Sequence, residues 1–116
     1  MIDTIHLEED KRLKWSYFLN EDGLLNPEVI ERFGGGFTAE ELATSRSMAA
    51  SVLAVAIKST LPHFIPYNVS DFSISEISDW MRANAHDGWQ VSMRNRESCI
   101  AFARWADALH FKLAFT

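Results

Sequence analysis

The sequence predicts an α+β fold: N-terminal helices, one of them a buried central helix, packed on a small C-terminal sheet. Three observations carry this. MAASVLAVAI (Met48–Ile57) is apolar nearly all round, as in a helix enclosed by protein. Thr38 with Glu41, and Ser73 with Glu76, have capping-box spacing, and each pair opens a helix. WQVSMR (Trp89–Arg94) and HFKLAF (His110–Phe115) alternate apolar and polar residues as half-buried strands do.

Taken in order, the first helix is expected over Glu8–Leu19, where Leu13 and Tyr17 lie four apart on one face. Asn20–Gly23 (NEDG) makes a turn. Asn26 before Pro27 opens a short helix to Phe33. The glycines of RFGGGFTAEE stop it. They are not a phosphate cradle, because no Lys follows them and Glu40 and Glu41 occupy the next helical turn. Their role is that of a joint. The central helix is expected over Ala39–Thr60, stopped by Pro62. Phe64–Val69 or Met1–Ile5 supplies an edge strand, and a further helix runs from Ser73 to about Ala85, closed by a left-handed turn at Gly88.

The C-terminal part is expected to be a strand-helix-strand (βαβ) unit: a strand over Trp89–Arg94, a helix over Arg96–Leu109 capped by Asn95, and a parallel strand over His110–Phe115. The whole chain of 116 residues is the length of one domain, 1–116. Within it lie an acidic helical segment (1–36), the central helix (37–61) and an α/β part (62–116).

Charge narrows the function. The net charge is −5, and residues 1–41 hold ten acids against four bases, whereas five acids balance five bases from Ile74 onward. Phosphate contact needs clustered Lys and Arg, so nucleic acid is an unfavoured partner. An acidic surface suits a protein partner with a basic one. Candidate contacts are Glu8, Glu9, Asp10, Glu21 and Asp22, together with Trp15 and Trp105. Four tryptophans are more than one small core absorbs, and surplus rings gather at interfaces. Homo-oligomerisation stays open.

Cys99 stands alone, no basic-then-apolar leader opens the chain, and the longest apolar run is too short to span a bilayer. A cytoplasmic protein without membrane contact is expected.

Catalytic constellations are thin. His86-Asp87 resembles an oriented base, but adjacent residues seldom pair and the pair reads as a helix-end turn. Cys99 falls in a helical core stripe with Phe102, Ala106 and Leu109, which makes it inert. His6 with Glu8 and Glu9 lacks a second nearby histidine, so neither a metal nor a cofactor is expected. The chain is therefore read as non-enzymatic. One alternative is an anion or nucleic-acid module using Arg94, Arg96, Arg104 and Lys112, with Arg94 and Arg96 flanking a helix N-terminus; the other is a small enzyme using His86 and Asp87 or Cys99.

The ending FARWADALHFKLAF resembles the close of small tailed-phage accessory proteins of unassigned activity, over the last ~30 residues. The resemblance implies a phage or prophage origin and carries over no functional residue. The expected function is binding of another protein, as inhibitor of a host complex or as a viral assembly component.

Overall fold

In the computed structural model, which describes residues 2–115, WQVSMR forms strand β2 (Trp89–Arg94), as its alternation predicts. Its neighbour is different from the one expected. Residues Glu97–Phe102 are strand β3, not helix, and β2 and β3 form an antiparallel hairpin in which Arg94 faces Glu97. The turn residues Asn95 and Arg96 have φ of 53° and 66°. Two consecutive left-handed residues are the signature of the two-residue hairpin whose twist matches that of the strands. Asn95 therefore turns the chain instead of capping a helix. Strand β1 (His63–Pro66) pairs antiparallel with the other edge of β3, giving the order β1-β3-β2. It fills the third-strand position expected within Phe64–Val69. The α+β class stands; the parallel βαβ unit is replaced by an antiparallel sheet.

HFKLAF is the end of helix α5 (Trp105–Phe115), not a strand. Six residues of alternation also place Phe111 and Phe115 four apart. On the helix those two rings stack at 4.7 Å, and Phe111 meets Phe102 at 5.4 Å. Helix α4 (Ile74–Asn84) begins at Ser73 with its capping box formed. Ile77 and Met81 of α4, Ala108 and Phe111 of α5, and Trp89, Ile100 and Phe102 of the sheet make one fully buried core.

Gly88 lacks the positive φ expected of it. A Cβ there would lie 2.6 Å from Ile2 Cδ1, the end of a side chain that would have to shift to admit it.

The stretch Glu8–Leu19 is not a helix. Short 3-10 turns occur at Thr4–His6 and Trp15–Tyr17, and Leu7 bridges Leu13. The chain instead runs beside β2, where the Leu13 N–H donates to the Trp89 carbonyl (2.8 Å) and the Trp89 N–H donates to the Lys11 carbonyl (3.3 Å). Gln90 stitches this contact. Its Oε1 accepts from Arg12 Nε and from the Val91 N–H, and its Nε2 donates to the Leu13 carbonyl, each at 2.8 Å. These partners lie far along the chain and override a weak local helical preference.

The chain divides into two compact units, one combining the segment up to Lys14 with residues from Leu61 onward, the other comprising Trp15–Thr60. The second unit holds three helices. Helix α1 (Pro27–Phe33) starts at Pro27 as expected, although Asn26 does not cap it; the Asn26 amide donates to the Ser16 and Tyr17 carbonyls instead. The glycines then stop it, with Gly35 and Gly36 at φ of 61° and 94°. The Thr38–Glu41 capping box opens α2 (Ala39–Thr44). The central helix is in two pieces. Ser45 is extended, and its hydroxyl accepts from the Met48 N–H at the start of α3 (Arg46–Thr60). A serine able to cap is favoured at a boundary over a helix interior. Nor is α3 enclosed: only Val52 and Ala56 are buried, and Ala54 and Val55 are exposed. None of the described helices is long and apolar enough to cross a membrane.

Candidate partner-binding groove

The second unit carries a groove built by one tight turn and three helices. Leu19 bridges Leu25, and the Asn20 N–H donates to the Leu24 carbonyl at 2.7 Å. Inside this turn the Asn20 side chain accepts from the Asp22 and Leu24 N–H groups, and Gly23 takes a φ of 77°. The turn is anchored by buried Phe18 and Leu25 and leaves Glu21 and Asp22 exposed.

Leu19 and Leu24 of the turn, Ile30 of α1, Leu42 of α2, and Ala50 and Leu53 of α3 line it. Alanines at 39, 43 and 49 keep the space open. The volume is about 310 Å³, and no charged side chain lines it. That falls at the lower end of ligand-pocket size. Carboxylates edge it in sequence: Glu21 and Asp22 on the turn, and Glu40 after the lining Ala39. One base, Arg46, opens α3. An adjoining hollow of about 460 Å³ shares Leu19, Asn20 and Gly23 and is walled by Trp15 and Glu21. Trp15 is 47% exposed.

The structure thus places Trp15 and Glu21 in a hollow that adjoins the apolar groove, with Asp22 exposed on the same turn. The other acidic candidates lie in the first unit. Glu8 and Glu9 are exposed, but Asp10 is buried and cannot meet a partner. Its carboxylate accepts from the Arg12 N–H (2.9 Å) and the Ser78 hydroxyl, and its carbonyl accepts from the Trp89 indole N–H (2.7 Å). Trp105 stands 53% exposed at the start of α5, its ring 5.5 Å from that of His63.

The anion alternative loses its helix N-terminus. Arg94 and Arg96 sit at the β2–β3 hairpin, and Arg94 lies over the Phe64 ring at 5.6 Å. Arg104 precedes α5, beyond the far end of β3, a strand of roughly 17 Å. Lys112 is on α5. The hollow beside Arg96, about 730 Å³, is also lined by Asp71 and Glu97, so its charge is mixed.

His86 and Asp87 do not act on each other. Both of their N–H groups donate to Asp107 Oδ2, at 3.0 Å each, while Asp87 accepts from the Gly88 and Ile2 N–H groups. The His86 Nδ1 stands 4.0 Å from Asp107, too far for a hydrogen bond. Cys99 is buried on β3, not on a helical stripe, and burial pushes its thiol up from the ordinary value. Among the described residues no group of three or more His, Cys, Asp or Glu side chains is placed to hold a metal ion.

Sequence reasoning missed the groove. Its only local signal is the run of small residues at 39, 43, 49 and 50, which reads equally as good helix composition. Comparison of the chain with protein-family models, curated proteins and solved structures gives no match.

Proposed function

We propose that this protein works by binding another protein, and that the groove receives an apolar helix face flanked by basic residues. What supports this is one arrangement: an uncharged apolar groove of about 310 Å³ adjoining a hollow lined by Trp15 and Glu21. Helix-in-groove recognition takes apolar anchors at helical spacing, and rim charge sets orientation and encounter rate. The protein is then a small non-enzymatic accessory protein of phage type, acting in the host cytoplasm as an inhibitor or assembly component.

The test is fluorescence anisotropy of a labelled 18-residue Leu/Lys amphipathic helix titrated with the protein. Saturable binding is expected, weakening as salt rises. Ala50→Trp, which fills the groove from an exposed position, should weaken it at least tenfold. Glu21→Lys with Asp22→Lys should weaken it and flatten its salt dependence. Unchanged affinity in Ala50→Trp would sink the proposal.

A further inference from the structure

A hollow in the first unit has no part in the groove reading. It lies where three stretches meet: the loop from Pro66 to Phe72, the hairpin end from Arg96 to Ser98, and the last residues of α5. Its volume is about 730 Å³, inside the usual range for a small-molecule site. The loop is tied in place. The Tyr67 N–H donates to the Ser98 carbonyl at 3.3 Å, and the Asn68 carbonyl accepts from the Asp71 and Phe72 N–H groups at 3.1 and 3.2 Å. Phe72 meets Phe115 edge-on, with ring centroids 5.0 Å apart. Tyr67, Phe72 and Phe115 give the hollow an aromatic side, and all three also pack against the core.

Charge of both signs lines the same space: Arg96 against Asp71 and Glu97, all three exposed. Yet among the described residues Arg96 forms no ion pair with either carboxylate. Arg96 is also out of place for its backbone. It holds the second loop position of the β2–β3 turn at a φ of 66°, where glycine would carry no strain. A strained residue whose charged side chain lines a hollow is an outlier of the kind that marks functional sites. An anion alone would meet two carboxylates here, and a cation alone would meet the guanidinium. A molecule with one charge of each sign answers all three. Guanidinium–carboxylate pairs are directional, so they fix such a molecule's orientation. The aromatic side calls for an apolar body.

We propose that this hollow binds a small zwitterion with an apolar side chain, a free amino acid or a short apolar peptide. Arg96 takes its carboxylate, Asp71 and Glu97 its ammonium, and Phe72 and Phe115 its side chain. The three protein charges are solvated and screened by salt, so a Kd of about 1 mM is expected. The site shares no lining residue with the apolar groove, so either can fail without the other.

Amide NMR titrations of the full chain test this with L-phenylalanine, leucyl-phenylalanine, 2-phenylethylamine and 3-phenylpropionate. Saturating shifts at Phe72, Arg96, Glu97 and Phe115 are expected with one or both zwitterions, and the tighter of the two names the source, single amino acid or peptide. The amine and the acid each lack one charge and should bind about five- to tenfold more weakly. Arg96→Gly keeps the turn, because glycine suits its left-handed position. It should weaken the zwitterions by about the same factor, with 2-phenylethylamine bound no more weakly than before. Asp71→Asn with Glu97→Gln should also weaken the zwitterions, with 3-phenylpropionate bound no more weakly. The probe comparison uses the wild type alone, so it decides even where a variant misfolds. Unshifted amides with both zwitterions at about 20 mM, or equal affinity for the amine or the acid, overturns the proposal. So does unchanged zwitterion affinity in a folded Arg96→Gly.

Discussion

Removing the Asp107 carboxylate tests how the loop after α4 is held. Two backbone donors, the His86 and Asp87 N–H groups, converge on one oxygen, Asp107 Oδ2, at 3.0 Å. Asp107→Ala leaves both donors without that acceptor in a largely buried site. A buried donor left unpaired costs about 1–3 kcal/mol, so the pair should cost about 2–6 kcal/mol. Asp107→Asn behaves differently. Its amide oxygen can take the place of Oδ2 and keep both bonds, losing only the charge assistance that makes such bonds roughly twice as strong as neutral ones. Its loss should be about 1 kcal/mol. Asp107 also stands in the first turn of α5, where a carboxylate complements the helix dipole by a further few tenths, lost in both variants. Urea unfolding gives the ordering, and amide exchange gives the location: His86 and Asp87 should exchange faster in Asp107→Ala and near the wild-type rate in Asp107→Asn. Equal losses in the two variants, or unaltered exchange at both amides, would refute the reasoning.

Three further predictions concern other parts of the chain. Gln90→Ala removes three hydrogen bonds at ~1 kcal/mol each, so the first unit should lose about 2–3 kcal/mol, with the Val91 amide newly exchangeable. Arg96→Gly relieves a left-handed residue in the hairpin turn and should raise the thermal midpoint by several degrees, about 1 kcal/mol; a lowered midpoint counts against the turn assignment. Cys99, its thiol raised by burial, stays protonated above the usual thiol range, so a thiol reagent at pH 8 should modify the unfolded chain quickly and the native one slowly. Comparable native and unfolded rates would place Cys99 in reach of solvent.

Features governed by near neighbours were legible in the sequence. Thr38–Glu41 and Ser73–Glu76 form their capping boxes because all participants lie within four residues. Pro27, the glycine run and strand Trp89–Arg94 follow from equally local rules. Errors arose where local signals tied. Asn95 suits a helix cap and a left-handed turn alike, and without a glycine beside it the hairpin left no mark. HFKLAF satisfies a period of two and a period of four over six residues. The segment Glu8–Leu19 was settled by Trp89 and Gln90, partners that no nearby pattern announces. The site divides the same way. Composition pointed to Trp15, Glu21 and Asp22, but it could not separate exposed Glu8 and Glu9 from buried Asp10, whose fate depends on Ser78 and Arg12. Nor could it show that alanines on two helices face a common space.

The Gln90 stitch has a consequence for synthesis. Leu13 and Gln90 are 77 residues apart. At ~5–20 residues per second, a ribosome needs roughly 4–15 s between making one and making the other. The second unit, Trp15–Thr60, is continuous in the chain and is finished within that interval, while the apolar and acidic residues before it have no strand to join. The segment before Trp15 is thus made well before the strand it joins, and those seconds are when a chaperone has most to hold.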